Sequence, residues 1–139
     1  MTYLLDTTAV SALMRREPNI RARVGTIAPT DRAMVCTITR GEVLYGLVRL
    51  PQGKRRSDLE VEAGHLFAQL PCVSVPEAAA ERYAQVKWEA DRKGTPLDDN
   101  DLWIAATALC MDATLVTRDS DFQRVDGLQV EDWSQEVRD

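Results

Sequence analysis

Histidine and cysteine are scarce in this chain of 139 residues, and that restricts its chemistry. A single histidine, His65, cannot build a His-rich zinc site, and a Ser-His-Asp triad would have to rest on it alone. The three cysteines, Cys36, Cys72 and Cys110, stand far apart and form no CxxC pair. An odd number suits a reducing compartment better than a disulfide framework. Long apolar runs are missing too: the longest uncharged one, Leu102 to Met111, is half the ~20 residues needed to span a bilayer. No basic residue precedes Arg15, and Asp6 interrupts the first apolar stretch, the wrong pattern for a secretory leader. The expectation is a soluble, cytoplasmic protein with no membrane partner. Positive charge is also short: 17 Lys and Arg face 22 Asp and Glu, a net −5, which taken alone speaks against a nucleic-acid partner.

What is present describes an ordinary globular chain, with 45% hydrophobic and 28% charged residues. The length predicts one domain over residues 1–139. Tyr3-Leu4-Leu5 predicts a short strand ending at Asp6, and a helix follows over Thr7 to Arg16, stopped before Pro18. Ile20 to Ile27 reads as a second helical piece and Ala33 to Thr37 as a buried strand. Thr39 is the expected N-cap of the next helix, with Glu42 at capping-box spacing and Pro51 as the stop. An amphipathic helix over Ser57 to Leu70 is broken by Pro71, and a third strand spans Cys72 to Val75. Glu77 to Lys93 predicts a long helix ending at Gly94. The acidic run Asp98-Asp99-Asn100-Asp101 opens a helix over Leu102 to Met111 that is apolar almost all round. Thr114 to Thr117 is a fourth strand and Leu128 to Val130 a possible fifth. Strands alternating with helices predict an α/β fold with a mainly parallel sheet covered on both faces.

Four acids occupy corresponding places in this pattern. Asp6 closes the first strand, Asp119 follows the fourth by two residues, and Glu42 and Asp101 lie in the first turns of helices. In an open parallel sheet such positions converge outside the carboxyl ends of the strands. Asp121 is placed to point into the same space. Each acid alone also suits a structural role: Asp6 as a helix cap, Glu42 and Asp101 as capping-box members, Asp119 and Asp121 as turn residues. Together they repel one another unless a cation sits among them. Oxygen ligands without imidazole or thiolate suit Mg²⁺ or Mn²⁺. Such a site can make a bound water nucleophilic and neutralise a phosphate leaving group, chemistry that needs no histidine.

Five segments in register carry a resemblance. They are Tyr3-Leu4-Leu5-Asp6-Thr7, Thr37 through Gly46, Gly94-Thr95-Pro96, Asn100 through Ala106, and Thr117-Arg118-Asp119-Ser120-Asp121-Phe122. Their order, spacing and total length resemble the PIN-domain ribonucleases, specifically the VapC toxins of toxin–antitoxin pairs. The resemblance implies a three-layer sandwich with a central sheet of four to five strands. It implies a Mg²⁺-dependent endoribonuclease, with Asp6, Glu42, Asp101 and Asp119 as catalytic metal ligands, Asp121 as a fifth acid that assists or substitutes, and Thr7 and Thr117 as orienting hydroxyls. It further implies a homodimer that cuts structured RNA, tRNA or rRNA, and is silenced by a VapB-type antitoxin. Thr8 stands where relatives often carry Asn or Ser, and Asp98 and Asp99 leave open which acid of the run is the third ligand.

Other readings of the acids are a PIN fold with lapsed catalysis and a receiver-like Mg²⁺-binding signalling module. A receiver needs a lysine after a late strand, whereas Lys54, Lys87 and Lys93 all precede the fourth. A haloacid-dehalogenase phosphatase needs a second Asp where this chain has Thr8. Trp88 and Trp103 are expected in the core or an interface, Tyr45, Leu47 and Leu50 on an apolar helix stripe, and Cys36 and Cys110 as small buried hydrophobes. The net charge is also uneven. Residues 1–56 hold ten basic and four acidic residues, a net +6, and residues 57–139 a net −11. The basic N-terminal part, including Arg15, Arg16, Arg21, Arg23 and Lys54-Arg55-Arg56, is where RNA phosphates are expected.

Overall fold

A computed structural model describes residues 1–135 of the chain. Five strands form one parallel sheet: β1 (Thr2–Leu5), β2 (Arg32–Cys36), β3 (Cys72–Val73), β4 (Thr114–Val116) and β5 (Val130–Glu131). Their order is β3-β2-β1-β4-β5, so the short apolar segment that opens the chain becomes the central strand. The chain first builds outward on one side of β1 and then crosses over to build β4 and β5 on the other. The crossover opens a crevice beside the carboxyl end of β1, where parallel sheets place their sites.

Period-two alternation along the strands assigns their side chains to two apolar layers. Leu5, Val35 and Val116 share one face, where they pack with α1 (Thr7–Met14), α2 (Pro18–Gly25), α3 (Thr37–Val48), α4 (Lys54–Gln69) and Trp133. Leu4, Met34, Cys36 and Leu115 share the other with α5 (Ala79–Lys93) and α6 (Asp99–Cys110), together with Phe122 and Val125. The nearly all-apolar sequence of α6 is explained by this packing: Leu102 and Ile104 through Ala108 are buried. Leu4 is fully buried at the centre of the second layer. Leu4→Ala should therefore cost about 2–5 kcal/mol, read as a lowered urea midpoint at unchanged m.

Local chemistry accounts for most element ends. Gly94 ends α5 in the left-handed region (φ 71°), as its place after a long helix predicts. The start of α3 departs from expectation. Strand β2 runs directly into the helix, so Cys36 takes the N-cap position and Thr39 lies a turn inside, fully buried. Its hydroxyl has no partner among the described residues, and the expected Thr39–Glu42 capping box does not form. A short 3-10 helix, Ser120–Arg124, follows β4 where the sequence suggested only a turn. Among the described residues no helix is long and apolar enough to cross a membrane.

Candidate active site

The site is built from the ends of β1 and β4 and the first turns of α3 and α6. Asp6 follows Leu5 and is the N-cap of α1, where its Oδ1 accepts from the Ala9 backbone N–H at 3.0 Å. The capping role and a place in the crevice therefore coexist in one residue. Asp6 is 2% exposed, and two hydroxyls hold it: Thr8 donates to Oδ1 at 2.7 Å and Thr117 to Oδ2 at 2.5 Å. Each hydroxyl has one proton, so both protons are spent on this carboxylate. The 3.3 Å approach of Thr8 Oγ1 to Thr117 Oγ1 is then a contact between acceptors. Those oxygens in turn receive the backbone N–H groups of Arg118 (2.9 Å) and Asp119 (3.0 Å). Burial holds the Asp6 carboxyl above the ordinary range, while the Thr117, Thr8 and Ala9 bonds pull it back down.

Glu42, one turn into α3, is held across elements. Thr7 donates to its Oε1 at 2.6 Å, and the Asn100 side-chain amide approaches Oε2 at 3.4 Å. Asp119 caps the 3-10 helix, its Oδ1 accepting from the Asp121 backbone N–H at 2.9 Å. Asp101 lies in the first turn of α6 and is partly buried. Burial first, then the neighbouring carboxylates of Asp98, Glu42, Asp119 and Asp6, push its pKa up to about 7. The four acids singled out in the sequence thus share one electrostatic field. No three His, Cys, Asp or Glu side chains among the described residues stand in ready metal-holding geometry, as expected where like charges face one another.

Asp121 is placed differently. Its carboxylate pairs with Arg124 at 3.0 Å, and it is not among the acids that raise Asp101. Asp98 is among them, whereas Asp99 accepts a short hydrogen bond from Tyr83. Thr8 and Asn100 are positioning residues that the sequence reading gave no role. The signal for Thr8 was its place two residues after Asp6, within reach of the same carboxylate. Thr117→Val removes one of the hydrogen bonds that orient Asp6, and is expected to lower turnover about 10–100-fold with little loss of folding, as read by kcat and thermal unfolding.

The oxygen-only donor set suits a hard divalent cation. An ionised carboxylate offers about four lone-pair directions. Asp6 uses three and Glu42 two on protein donors, and Asp101 accepts no hydrogen bond among the described residues. Ligand capacity therefore remains on every one of the four.

Comparison with known proteins places this geometry. The family model described as "PIN domain" matches residues 3–128. "Ribonuclease VapC1" of Haemophilus influenzae strain R2866 is 34% identical over 137 residues, covering 96% of this chain and 99% of that protein. The chain belongs to the VapC family of PIN-domain ribonucleases. A second relative, "tRNA(fMet)-specific endonuclease VapC" of Salmonella typhimurium, is 30% identical over 96% of this chain and 98% of its own length. Among solved structures, VapBC-1 from nontypeable Haemophilus influenzae superposes with a TM-score of 0.86 at 30% identity, covering 97% of this chain and all of that one. In this VapC-family chain Asp6 and Asp119 follow β1 and β4, the neighbouring strands where the order of the sheet reverses.

The structure narrows two expectations. Trp88 is 65% exposed, which leaves the interface alternative and not the core, and Tyr45 is 66% exposed on the outer face of α3, away from its buried stripe. Both sit opposite the buried stripe of their helix, which Val86 and Ala90 supply in α5 and Val43 and Leu47 in α3. Trp103 stacks on Tyr83 with ring centroids 4.0 Å apart. Part of the Lys54-Arg55-Arg56 run is accounted for along α4, where Lys54 pairs with Asp58 and Arg56 with Glu60.

Proposed function

We propose that this chain is a Mg²⁺-dependent endoribonuclease toxin that hydrolyses phosphodiester bonds in structured RNA, tRNA or rRNA. The observation that carries the reading is the gathering of Asp6, Glu42, Asp119 and Asp101 from four separate elements, in a site where burial first and then the neighbouring carboxylates of Asp98, Glu42, Asp119 and Asp6 push Asp101 up to about 7. Asp6, Glu42, Asp101 and Asp119 would hold the cation, with Mn²⁺ an acceptable substitute. When bound there it activates water and neutralises charge on the phosphate. The chain's own contribution is orientation: Thr8 and Thr117 fix the plane of the Asp6 carboxylate, and Thr7 and Asn100 fix Glu42. Asp101 binds a proton near neutrality only while the site is without its cation, and would give that proton up as the cation binds. In-line attack on the phosphodiester leaves a 3′ or 5′ phosphate without any covalent protein intermediate.

The partner in this reading is a VapB-type antitoxin. A groove of about 730 Å³ between α1, α3 and α4 supports it, lined by apolar Met14, Val43, Leu47, Leu50 and Leu59 and reaching Glu42 at one end. A segment laid along that groove would cover Glu42. A homodimer and a cytoplasmic location belong to the same proposal, and the exposed Trp88 is a candidate dimer residue.

Incubating the purified protein with separate tRNA and rRNA pools, with Mg²⁺, with Mn²⁺ and with EDTA, tests the activity. Cleavage restored by either metal and abolished by EDTA is expected. Undiminished cutting in EDTA would sink the metal-dependent reading, and no cutting under any condition would favour a lapsed PIN fold.

A further inference from the structure

A second cleft opens beside the acids and shares Thr7, Ser11 and Arg15 with the apolar groove. Its volume is about 530 Å³, and it is lined by Thr7, Thr8, Ser11, Arg15, Arg118 and Asp119. Its two cations come from distant parts of the chain. Arg15 is the C-cap of α1, and Arg118 sits between Thr117 and Asp119, its backbone N–H bound to Thr8 Oγ1. One carboxylate braces both. Glu17 Oε2 accepts from Arg15 Nε at 2.9 Å and lies 2.8 Å from its Nη2, while Arg118 Nη1 lies 3.1 Å from each Glu17 oxygen.

An exposed ion pair adds little stability. Two arginines on one carboxylate have a further consequence. The trio keeps a net positive charge and stiffens two otherwise flexible side chains. Nη1 of Arg15 and Nε and Nη2 of Arg118 have no hydrogen-bond partner among the described residues. Guanidinium donors held in a fixed plane match the oxygens of a phosphate. The location adds the reason for such a device. A polyanionic substrate must approach four carboxylates in a chain of net charge −5, and this cleft sets two guanidiniums beside them, with Asp119 the acid in its lining.

We propose that Arg15 and Arg118, braced by Glu17, form a phosphate-binding subsite that grips an RNA backbone phosphate flanking the scissile bond. The inference deepens the nuclease reading and rests on it for the identity of the substrate. Arg118 is covalently next to Asp119 and hydrogen-bonded through Thr8 to the Asp6 cluster. A phosphate held there is thereby placed at a set distance from the acids. The subsite reads backbone and not base, so it contributes affinity and register without sequence preference.

The test uses binding and turnover separately. Fluorescein-labelled bulk tRNA is titrated with full-length Asp6→Asn protein over a range of KCl concentrations. The titration is repeated with Arg15→Gln, Arg118→Gln and both added, and with Arg92→Gln/Lys93→Gln on α5 as the charge-matched control for the pair. The double change is expected to weaken binding about tenfold or more and to reduce the slope of log affinity against log salt by about one, while the control does neither. In the active background the same pair should raise KM by a similar factor and change kcat less than threefold. Glu17→Gln, which frees both arginines, should weaken binding less than their removal, because charge stays and only rigidity goes. Affinity and salt slope equal to the control would overturn the subsite. So would a loss confined to the binding of a co-expressed antitoxin, with RNA affinity kept. If the wild-type protein cuts no RNA but the arginine-dependent slope remains in the Asp6→Asn titration, the nuclease reading fails and the subsite stands.

Discussion

Replacing Asp6 by asparagine is expected to lower metal-dependent RNA cleavage by a factor of about 10² or more while leaving the protein folded. Asparagine keeps an oxygen where Oδ1 accepts from Ala9 N–H and Thr8, so the N-cap of α1 survives. What is lost is the negative charge and the oxygen that receives Thr117. Asp6→Ala is expected to show the same loss of turnover and, in addition, about 1–2 kcal/mol of instability, because the cap disappears and the buried Thr117 and half-buried Thr8 hydroxyls lose their acceptor. The pair of variants separates the chemical from the structural role of one residue. Single-turnover cleavage of a tRNA pool and urea unfolding of both proteins make the measurement. Asp6→Asn protein that cuts as fast as wild type would remove Asp6 from the reaction.

The second large effect concerns Asp101 without metal. Its carboxyl has an ordinary value of 3.8 and is pushed up to about 7 in the fold, chiefly by burial and then by Asp98, Glu42, Asp119 and Asp6. A raised folded value means that the native state binds a proton more tightly than the unfolded chain. The contribution of Asp101 to stability is therefore full below about pH 4 and is lost as pH rises through about 7. A shift of this size in a fully enclosed group corresponds to about 4 kcal/mol. Asp101 is partly solvated, and screening reduces the expected loss to about 1–2 kcal/mol. In EDTA, wild-type protein should lose that much more stability than Asp101→Asn between pH 5 and pH 8. A divalent cation should restore it at pH 8, since a cation among these carboxylates stabilises their ionised forms, and saturation at about a hundred times Kd adds about 2.7 kcal/mol. Thermal unfolding of both proteins with EDTA and with Mg²⁺ reads the effect, and identical pH dependence in the two would refute it.

Much of the site was legible in the linear chain because its acids sit at punctuation marks of the α/β pattern. Asp6 ends an apolar run, Asp119 follows another, and Glu42 and Asp101 lie just inside helices. Strand ends on one edge of a parallel sheet are brought together by topology alone, so convergence followed from order and spacing. Capping was read less well. Thr39, Glu42 and Asp98 have the composition of helix starts, yet among the described residues Thr39 is buried without a partner and Asp98 makes no capping hydrogen bond. Capping depends on where the preceding strand releases the chain, and at α3 no residue separates strand from helix. The second-rank contacts were also hidden, because Thr8 meets Thr117 across 109 residues and Asn100 meets Glu42 across 58.

The scarcity of histidine and cysteine, the strand–helix alternation and the spacing of the carboxylates were sufficient by themselves to indicate an oxygen-ligand, phosphate-directed chemistry on a parallel sheet. These are properties of composition and period, which local sequence carries. Only the tertiary structure decided which acid faces which. It turned Asp121 toward Arg124, set Asp98 beside Asp101, and closed Arg15 and Arg118 around Glu17. The first two are set by helical spacing of three residues, whereas Arg118 meets Glu17 across 101 residues through the packing of elements far apart in the chain. Side-chain direction there depends on the crossing of β1 and β4 and the seating of α1, α3 and α6, and none of these is encoded in spacing.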